Sequence, residues 1–226
     1  MTAPRFAPQA ILFDMDGLLV DSEPVWGLAE QRLMQRWGAE WTDADMHVCR
    51  GTGIPETARR MAERAGRPYD AERDPDALIE AFLELVPTIA DQPGAQELVA
   101  AASEAGLRLA VASSSPRRVV SRVLEARALW SRFEVIVTGD DVVRKKPDPA
   151  IFLLAAERCE VPSARCLVLE DSMPGVIAAT RAGIPVIAVP ELDHASFEGV
   201  ADRVVRDLVE ARALIDWPTR PLGLGG

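Results

Sequence analysis

The stretch that most limits how this chain can fold is Ala10 to Glu23, AILFDMDGLLVDSE. Four apolar residues, Ala10 to Phe13, run into Asp14-Met15-Asp16-Gly17. A second apolar run, Leu18 to Val20, leads to Asp21-Ser22-Glu23. Short apolar runs bounded in this way read as buried strand. Gly17 permits a backbone turn that a residue with a β-carbon resists. Two carboxylates therefore stand one residue apart at the carboxyl end of a buried strand, the edge at which open α/β sheets bind ligands. Ionised carboxylates this close repel, so a cation between them is the natural partner. The competing reading is that Asp14 and Asp16 only shape a turn, as aspartates often do.

After Ser22 the pattern becomes helical. Asp21 or Ser22 can cap the first helix, Pro24 suits its first turn, and Trp26, Ala29, Leu33 and Trp37 recur at helical spacing up to Gly38. Further helices are expected at about 43–50, 55–65 and 75–86, with no convincing strand between Ser22 and Asp91. From Pro93-Gly94 onward strands alternate with helices. Apolar runs at 107–112, 133–138, 166–169 and 185–189, with a short candidate at Val204-Val205, imply βαβ crossovers and a parallel sheet. The expected architecture is α/β, a Rossmann-like parallel core (residues 1–21 and 92–226) with an inserted all-helical cap domain (residues 22–91).

Four strands of such a sheet end in polar groups: Asp14 and Asp16, Ser113, Asp140, and Glu170 with Asp171. Lys146 follows one of them. Parallel strands present their carboxyl ends on one edge, so residues far apart in sequence converge there. Each group also has a plainer reading: Ser113-Ser114-Ser115 and Glu170-Asp171-Ser172 as helix caps, Lys145 as a solvated charge, Asp140 and Asp141 as loop residues.

With 35 acidic and 25 basic residues the net charge is −10, which disfavours a nucleic-acid partner but not a small phosphorylated one. No apolar run approaches the roughly 20 residues of a membrane span, and MTAPRFAPQ reads as an irregular arm rather than a signal peptide. PLGLGG reads as a frayed tail. Three widely spaced cysteines, Cys49, Cys159 and Cys166, suggest a reducing, cytoplasmic setting without a disulfide frame. Two distant histidines, His47 and His194, give little support to a zinc site or a Ser-His-Asp triad. A monomer is the simplest expectation.

FDMDGLLVDSE resembles the first motif of the haloacid dehalogenase superfamily, in the form of its sugar-phosphatase and β-phosphoglucomutase-like branch. Ser113 after LRLAVA is similar to the second motif, Lys146 in KKPDPAIF to the third (KPxPxxF), and Glu170-Asp171 to the fourth. The likeness spans Ala10 to about Val205, and DMDGLLVDSEPVW is similar to hexose- and hexitol-phosphate phosphatases of the 2-deoxyglucose-6-phosphatase type. The resemblance implies Mg²⁺ as cofactor, Asp14 as nucleophile and Asp16 as general acid and then base. Asp14, the Asp16 carbonyl and Asp171 would bind the metal directly, and Glu170 through water. Ser113, the Ser114 N–H and Lys146 would hold the phosphoryl group. A cap over the cleft would read the leaving group with candidates Glu23, Trp26, His47, Arg50 and Thr52, of which Trp26 is expected only to pack. Dehalogenating members lack the second aspartate, so Asp16 points to phosphoryl chemistry.

The rival within the family is a phosphomutase. β-Phosphoglucomutases carry an arginine four residues beyond a Lys-Gly start. Here Arg50-Gly51-Thr52-Gly53-Ile54 puts Ile54 at that place, with Trp26 where the mutases have histidine and Pro116 where they have lysine. Arg50 could still serve a distal phosphate. Outside enzymes, a phosphate-accepting receiver is the alternative, but receivers are near roughly 120 residues and lack a cap. A silent interaction protein would not need Asp14, Asp16, Ser113, Lys146 and Asp171 together.

Overall fold

Ala10–Phe13 form strand β1, and all four side chains are fully buried. A strand covered on both faces must be apolar throughout, so the run shows no polar alternation. This is a computed structural model, and it describes residues 5–218. The PLGLGG tail lies outside them. The arm expected to be irregular is tied down in its described part: Phe6 forms a bridge with Ile215.

From β1 the chain passes through β2 (Val20–Asp21), α1 (Glu23–Arg36), α2 (Asp43–Cys49), α3 (Ile54–Arg64), α4 (Arg73–Leu83) and β3 (Ala90–Asp91). It continues as α5 (Ala95–Glu104), β4 (Arg108–Ala112), α6 (Arg117–Ala126), β5 (Val135–Val137), α7 (Ala150–Arg158) and β6 (Cys166–Glu170). The described chain closes with α8 (Met173–Arg181), β7 (Val186–Ala188), α9 (His194–Phe197), β8 (Arg203–Val204) and α10 (Leu208–Ala213).

Six strands make one sheet in the order β5-β4-β1-β6-β7-β8, parallel at each pairing. The fold is thus α/β with a parallel core, as the alternation of runs implies. Strand order reverses at β1, between β4 and β6, which is the switch point where such sheets bind ligands. On one face Ala10, Leu12, Ala110 and Val168 pack with Ile151, Phe152 and Ala155 of α7 and Val176 and Ala179 of α8. By the two-residue period Ile11, Phe13, Leu109 and Val111 face the other way, where α5 packs on β4. Phe13 meets Phe133 edge-on at 5.6 Å. Each fully buried side chain of this size stabilises by roughly 1.5–3 kcal/mol, which holds the register. Phe13 is level with Val111 and Leu169, so the next residue, Asp14, comes level with Glu170. The Asp14 N–H donates to the Leu169 carbonyl at 3.1 Å.

Asp21–Ala90 form a separate compact unit. Within it α4 packs against α1 and α3, and Trp26 stacks on Phe82 with ring centroids 3.8 Å apart. Trp26 is thus a packing residue. Ser22 occupies the N-cap position of α1 but makes no capping bond there. The stretch between Ser22 and Asp91 is helical as expected, with a strand only at its very end. β3 has only two residues and pairs with β2, too short to leave an apolar run in the sequence. Among the described residues no helix is long and apolar enough to cross a membrane.

Candidate active site

Beyond β1 the chain turns within four residues. Met15 is fully buried and its carbonyl accepts from Leu19 N at 3.0 Å and Val20 N at 3.2 Å, while Gly17 N donates to the Val20 carbonyl at 2.9 Å. Glycine is required twice at position 17. Its φ is +81°, and a β-carbon there would lie 2.2 Å from Asp171 Oδ2. The turn and the β6 end are built against each other.

Lys146 reaches into the same place. Its Nζ donates to Asp14 Oδ1 and, at 2.6 Å, to Glu170 Oε1, and it lies 4.9 Å from the centroid of the Phe152 ring. The last residue of KPDPAIF thus forms an apolar and π-bearing floor under the ammonium. Glu170 is fully buried. Its Oε2 accepts from Ser172 N at 2.8 Å and Ser172 Oγ at 2.9 Å, and Ser172 in turn caps α8 by accepting from Gly175 N at 3.2 Å. The acidic pair and the helix cap, read from the sequence as alternatives, coexist. Gly175 makes room for them, since a β-carbon there would stand 1.8 Å from Glu170 Oε1.

Asp171 completes the cluster. Asp14, Glu170 and Asp171 each offer a carboxylate oxygen within 4.8 Å of the others. Asp171 Oδ1 is shut off from solvent with no hydrogen-bond partner. A buried polar atom left unpaired costs free energy, so this oxygen asks for a ligand. Burial pushes the Asp14 carboxyl up from its ordinary value; Lys146 opposes this, and Glu170 and Asp16 add to it. Asp171 is raised well above its ordinary value by burial, then by Glu170 and Asp14. Burial works against the Lys146 ammonium, but Asp14 and Glu170 outweigh it and keep it charged. One ammonium thus faces several carboxylates, and hard oxygen donors in this number fit a divalent cation such as Mg²⁺.

The β4 end supplies hydroxyls. Ser115 Oγ donates to Asp16 Oδ2 at 2.7 Å, Ser113 Oγ to the same oxygen at 3.3 Å, and Ser115 N to Ser113 Oγ at 3.1 Å. The serine run does not cap α6, whose N-cap residue is Pro116. Ser115 had no sequence signal; its partner Asp16 lies in another motif, and only the fold joins them. Ser114 is half-buried, its carbonyl against Gly139.

Asp14, Asp16, Ser113, Lys146, Glu170 and Asp171 thus converge. Arg50 belongs to the helical unit, at the C-cap of α2, and pairs with Glu23 at 3.3 Å. His47 and Thr52 are exposed in that unit, and Lys145 is exposed in the loop after β5. Asp140 accepts from Arg117 N at 2.8 Å; Asp141 accepts from Thr138 N at 2.8 Å and Arg117 Nη2 at 2.7 Å. Both act as loop residues.

Residues 11–189 match the model of the haloacid dehalogenase-like hydrolase family. The chain is 32% identical over 213 residues to a bifunctional riboflavin kinase/FMN phosphatase of Arabidopsis thaliana, covering 93% of this chain and 56% of that protein. It is 34% identical over 181 residues to the phosphorylated carbohydrates phosphatase of Thermotoga maritima, covering 78% and 82%. The crystal structure of CbbY from Rhodobacter sphaeroides in complex with phosphate superposes with a TM-score of 0.79 at 33% identity, over 90% of this chain and 96% of that one. With its parallel sheet, its four motifs at the strand ends and these relatives, the chain belongs to the haloacid dehalogenase-like hydrolase family, in the branch of sugar phosphatases and β-phosphoglucomutase-like enzymes.

Proposed function

We propose that this chain is a Mg²⁺-dependent phosphatase that hydrolyses small phosphorylated sugars or hexitols through an aspartyl-phosphate on Asp14. Membership of the phosphatase branch makes it a phosphoric monoester hydrolase. The observation that carries the finer reading is the buried Lys146 ammonium bridging Asp14 and Glu170, beside a partnerless Asp171 oxygen.

Asp14 attacks phosphorus as the ester P–O bond breaks, and Asp16 gives its proton to the leaving oxygen. Asp16, now a carboxylate, takes a proton from water, which attacks the aspartyl-phosphate and releases inorganic phosphate with Asp14 restored. Lys146 offsets the repulsion between the Asp14 carboxylate and an incoming dianion. Ser113 Oγ and the Ser114 N–H hold phosphoryl oxygens. When bound, Mg²⁺ supplies charge neutralisation at the transferring group. Asp14, Asp171 and the Asp16 carbonyl would hold it. Glu170, whose oxygens already serve Lys146 and Ser172, would act through water.

The carbohydrate-phosphatase relative supports sugar phosphates as the substrate class. The helical unit 21–90, with Arg50, is read as the cap that selects the leaving group. Three buried thiols fit a reducing, cytoplasmic setting, and a monomer suffices for a site drawn from one chain.

Water is the preferred phosphoryl acceptor because Ile54, Trp26 and Pro116 replace the basic groups that a mutase uses. An Ile cannot pair a distal dianion, and burying one unpaired costs several kcal/mol. The test is a screen of phosphorylated metabolites with Mg²⁺, scored by phosphate release, together with β-glucose 1-phosphate plus glucose 1,6-bisphosphate. Phosphate release from hexose or hexitol monophosphates is expected, with little glucose 6-phosphate formed. Isomerisation outrunning phosphate release would replace the phosphatase with a mutase.

A further inference from the structure

Asp16 Oδ2 lies close to two hydroxyls of unequal quality. Ser115 Oγ is 2.7 Å away, the favoured distance for an O–H···O bond, whereas Ser113 Oγ at 3.3 Å lies beyond the usual range. A serine hydroxyl has one proton to donate. If Ser113 turns that proton to a phosphoryl oxygen, it no longer holds Asp16. Ser115 keeps its bond, and its backbone is fixed on both sides. Its N–H donates to Ser113 Oγ at 3.1 Å, and its carbonyl accepts from Gly139 N at 3.0 Å. Gly139 is itself pressed so close that a β-carbon there would lie 2.3 Å from the Ser114 carbonyl oxygen.

We propose that Ser115 is a positioning residue for the acid–base step: its hydroxyl orients the Asp16 carboxyl so that Oδ1 carries the proton delivered to the leaving oxygen. The inference rests on Asp16 being the general acid. A carboxylic acid accepts hydrogen bonds best at its carbonyl oxygen, so two hydroxyls directed at Oδ2 favour the transferable proton on Oδ1. In the step that follows, Asp14 forms a bond to phosphorus, the P–O bond to the sugar breaks, and the Oδ1 proton passes to the departing sugar oxygen. Ser115 neither gains nor loses a proton.

Orientation of the acid matters only where the leaving group needs a proton. A sugar alkoxide does; the nitrophenolate of p-nitrophenyl phosphate leaves without one. The experiment compares kcat/KM, which reads the steps up to phosphoenzyme formation, on both substrates for wild type, Ser115→Ala, Ser115→Thr and Asp16→Asn. With Ser115→Ala, kcat/KM on a hexose 6-phosphate is expected to fall by up to about tenfold, the upper end of what one hydrogen bond between neutral groups is worth. On p-nitrophenyl phosphate it should change by less than about twofold, within what loss of a bond remote from phosphorus allows. Ser115→Thr keeps the hydroxyl and should restore the sugar-phosphate rate. Asp16→Asn should show the same split with larger amplitude. Equal losses on both substrates, or none on either, overturn the positioning role. If Asp16→Asn itself lacks the split, the general-acid reading fails and this inference with it. If Asp16→Asn shows the split and Ser115→Ala does not, the inference alone fails.

Discussion

Gly175→Ala sets two effects of opposite sign against each other. Position 175 lies in the first turn of α8, and alanine is the better helix former by up to about 1 kcal/mol. Its β-carbon, however, would stand 1.8 Å from Glu170 Oε1, 1.9 Å from the carboxyl carbon and 2.4 Å from Oε2. Ordinary contact needs about 3.5 Å, so the carboxylate must retreat by more than about 1 Å. That movement pulls Glu170 from Lys146 Nζ at 2.6 Å and from Ser172 N and Oγ at 2.8 and 2.9 Å. Breaking a buried ion pair costs about 3–5 kcal/mol, so a net destabilisation of about 2–4 kcal/mol is expected after the propensity gain. Gly27→Ala is the matched comparison. It too is a helix glycine, but its β-carbon would meet the Met46 sulfur at 2.8 Å. A thioether chain end can move aside, so Gly27→Ala should stay within about 1 kcal/mol of wild type. Urea denaturation midpoints of the three proteins decide the matter. A Gly175→Ala protein as stable as wild type, at unchanged m value, refutes the packing argument.

Glu30 gives a pH prediction. It is 8% exposed on α1, accepts from Trp41 Nε1 at 2.8 Å, and burial lifts its carboxyl from 4.5 to about 7. A raised folded value means stability fully present below about pH 4.5 and lost as pH rises through about 7, on the order of 3 kcal/mol in all. Thermal melts of Glu30→Gln should lose that slope; an unchanged slope counts against it. Mg²⁺ at 100 times its Kd should stabilise the protein by about 2.7 kcal/mol in the same melts, and Asp171→Asn should abolish the gain. EDTA should stop turnover, and full activity after rigorous metal removal would sink the metal reading. Asp16→Asn should slow sugar-phosphate turnover by about 10² or more, the scale of acid–base catalysis; a near wild-type rate removes Asp16 from that role.

The parallel core was legible because its central strands are short apolar runs, buried on both faces and closed by polar residues. The convergence of Asp14, Ser113 and Asp171 followed from one rule about parallel strand ends, whereas Lys146, in the loop after β5, was placed by its KPxPxxF motif. What stayed hidden depends on contacts between distant segments. Ser115 looked like its two neighbours until the fold set it against Asp16. Gly175 carried no sign that a carboxylate fills the space of its missing side chain. Glu30 sits in an apolar helix stripe as a charged residue, and only the indole of Trp41 accounts for it. The two-residue β3 and the short α9 and α10 are below the length at which periodicity can speak.

Covalent catalysis at Asp14 is tested most directly by trapping. Asp16→Asn enzyme, slowed in hydrolysing the intermediate, is mixed with Mg²⁺ and p-nitrophenyl phosphate, whose leaving group needs no acid, then quenched in acid, digested and mapped by mass. The account predicts one phosphoryl group on the peptide containing Asp14, lost when Asp14→Asn is added to the same protein. Nitrophenolate release in the first turnover with no phosphoryl group on that peptide would contradict it.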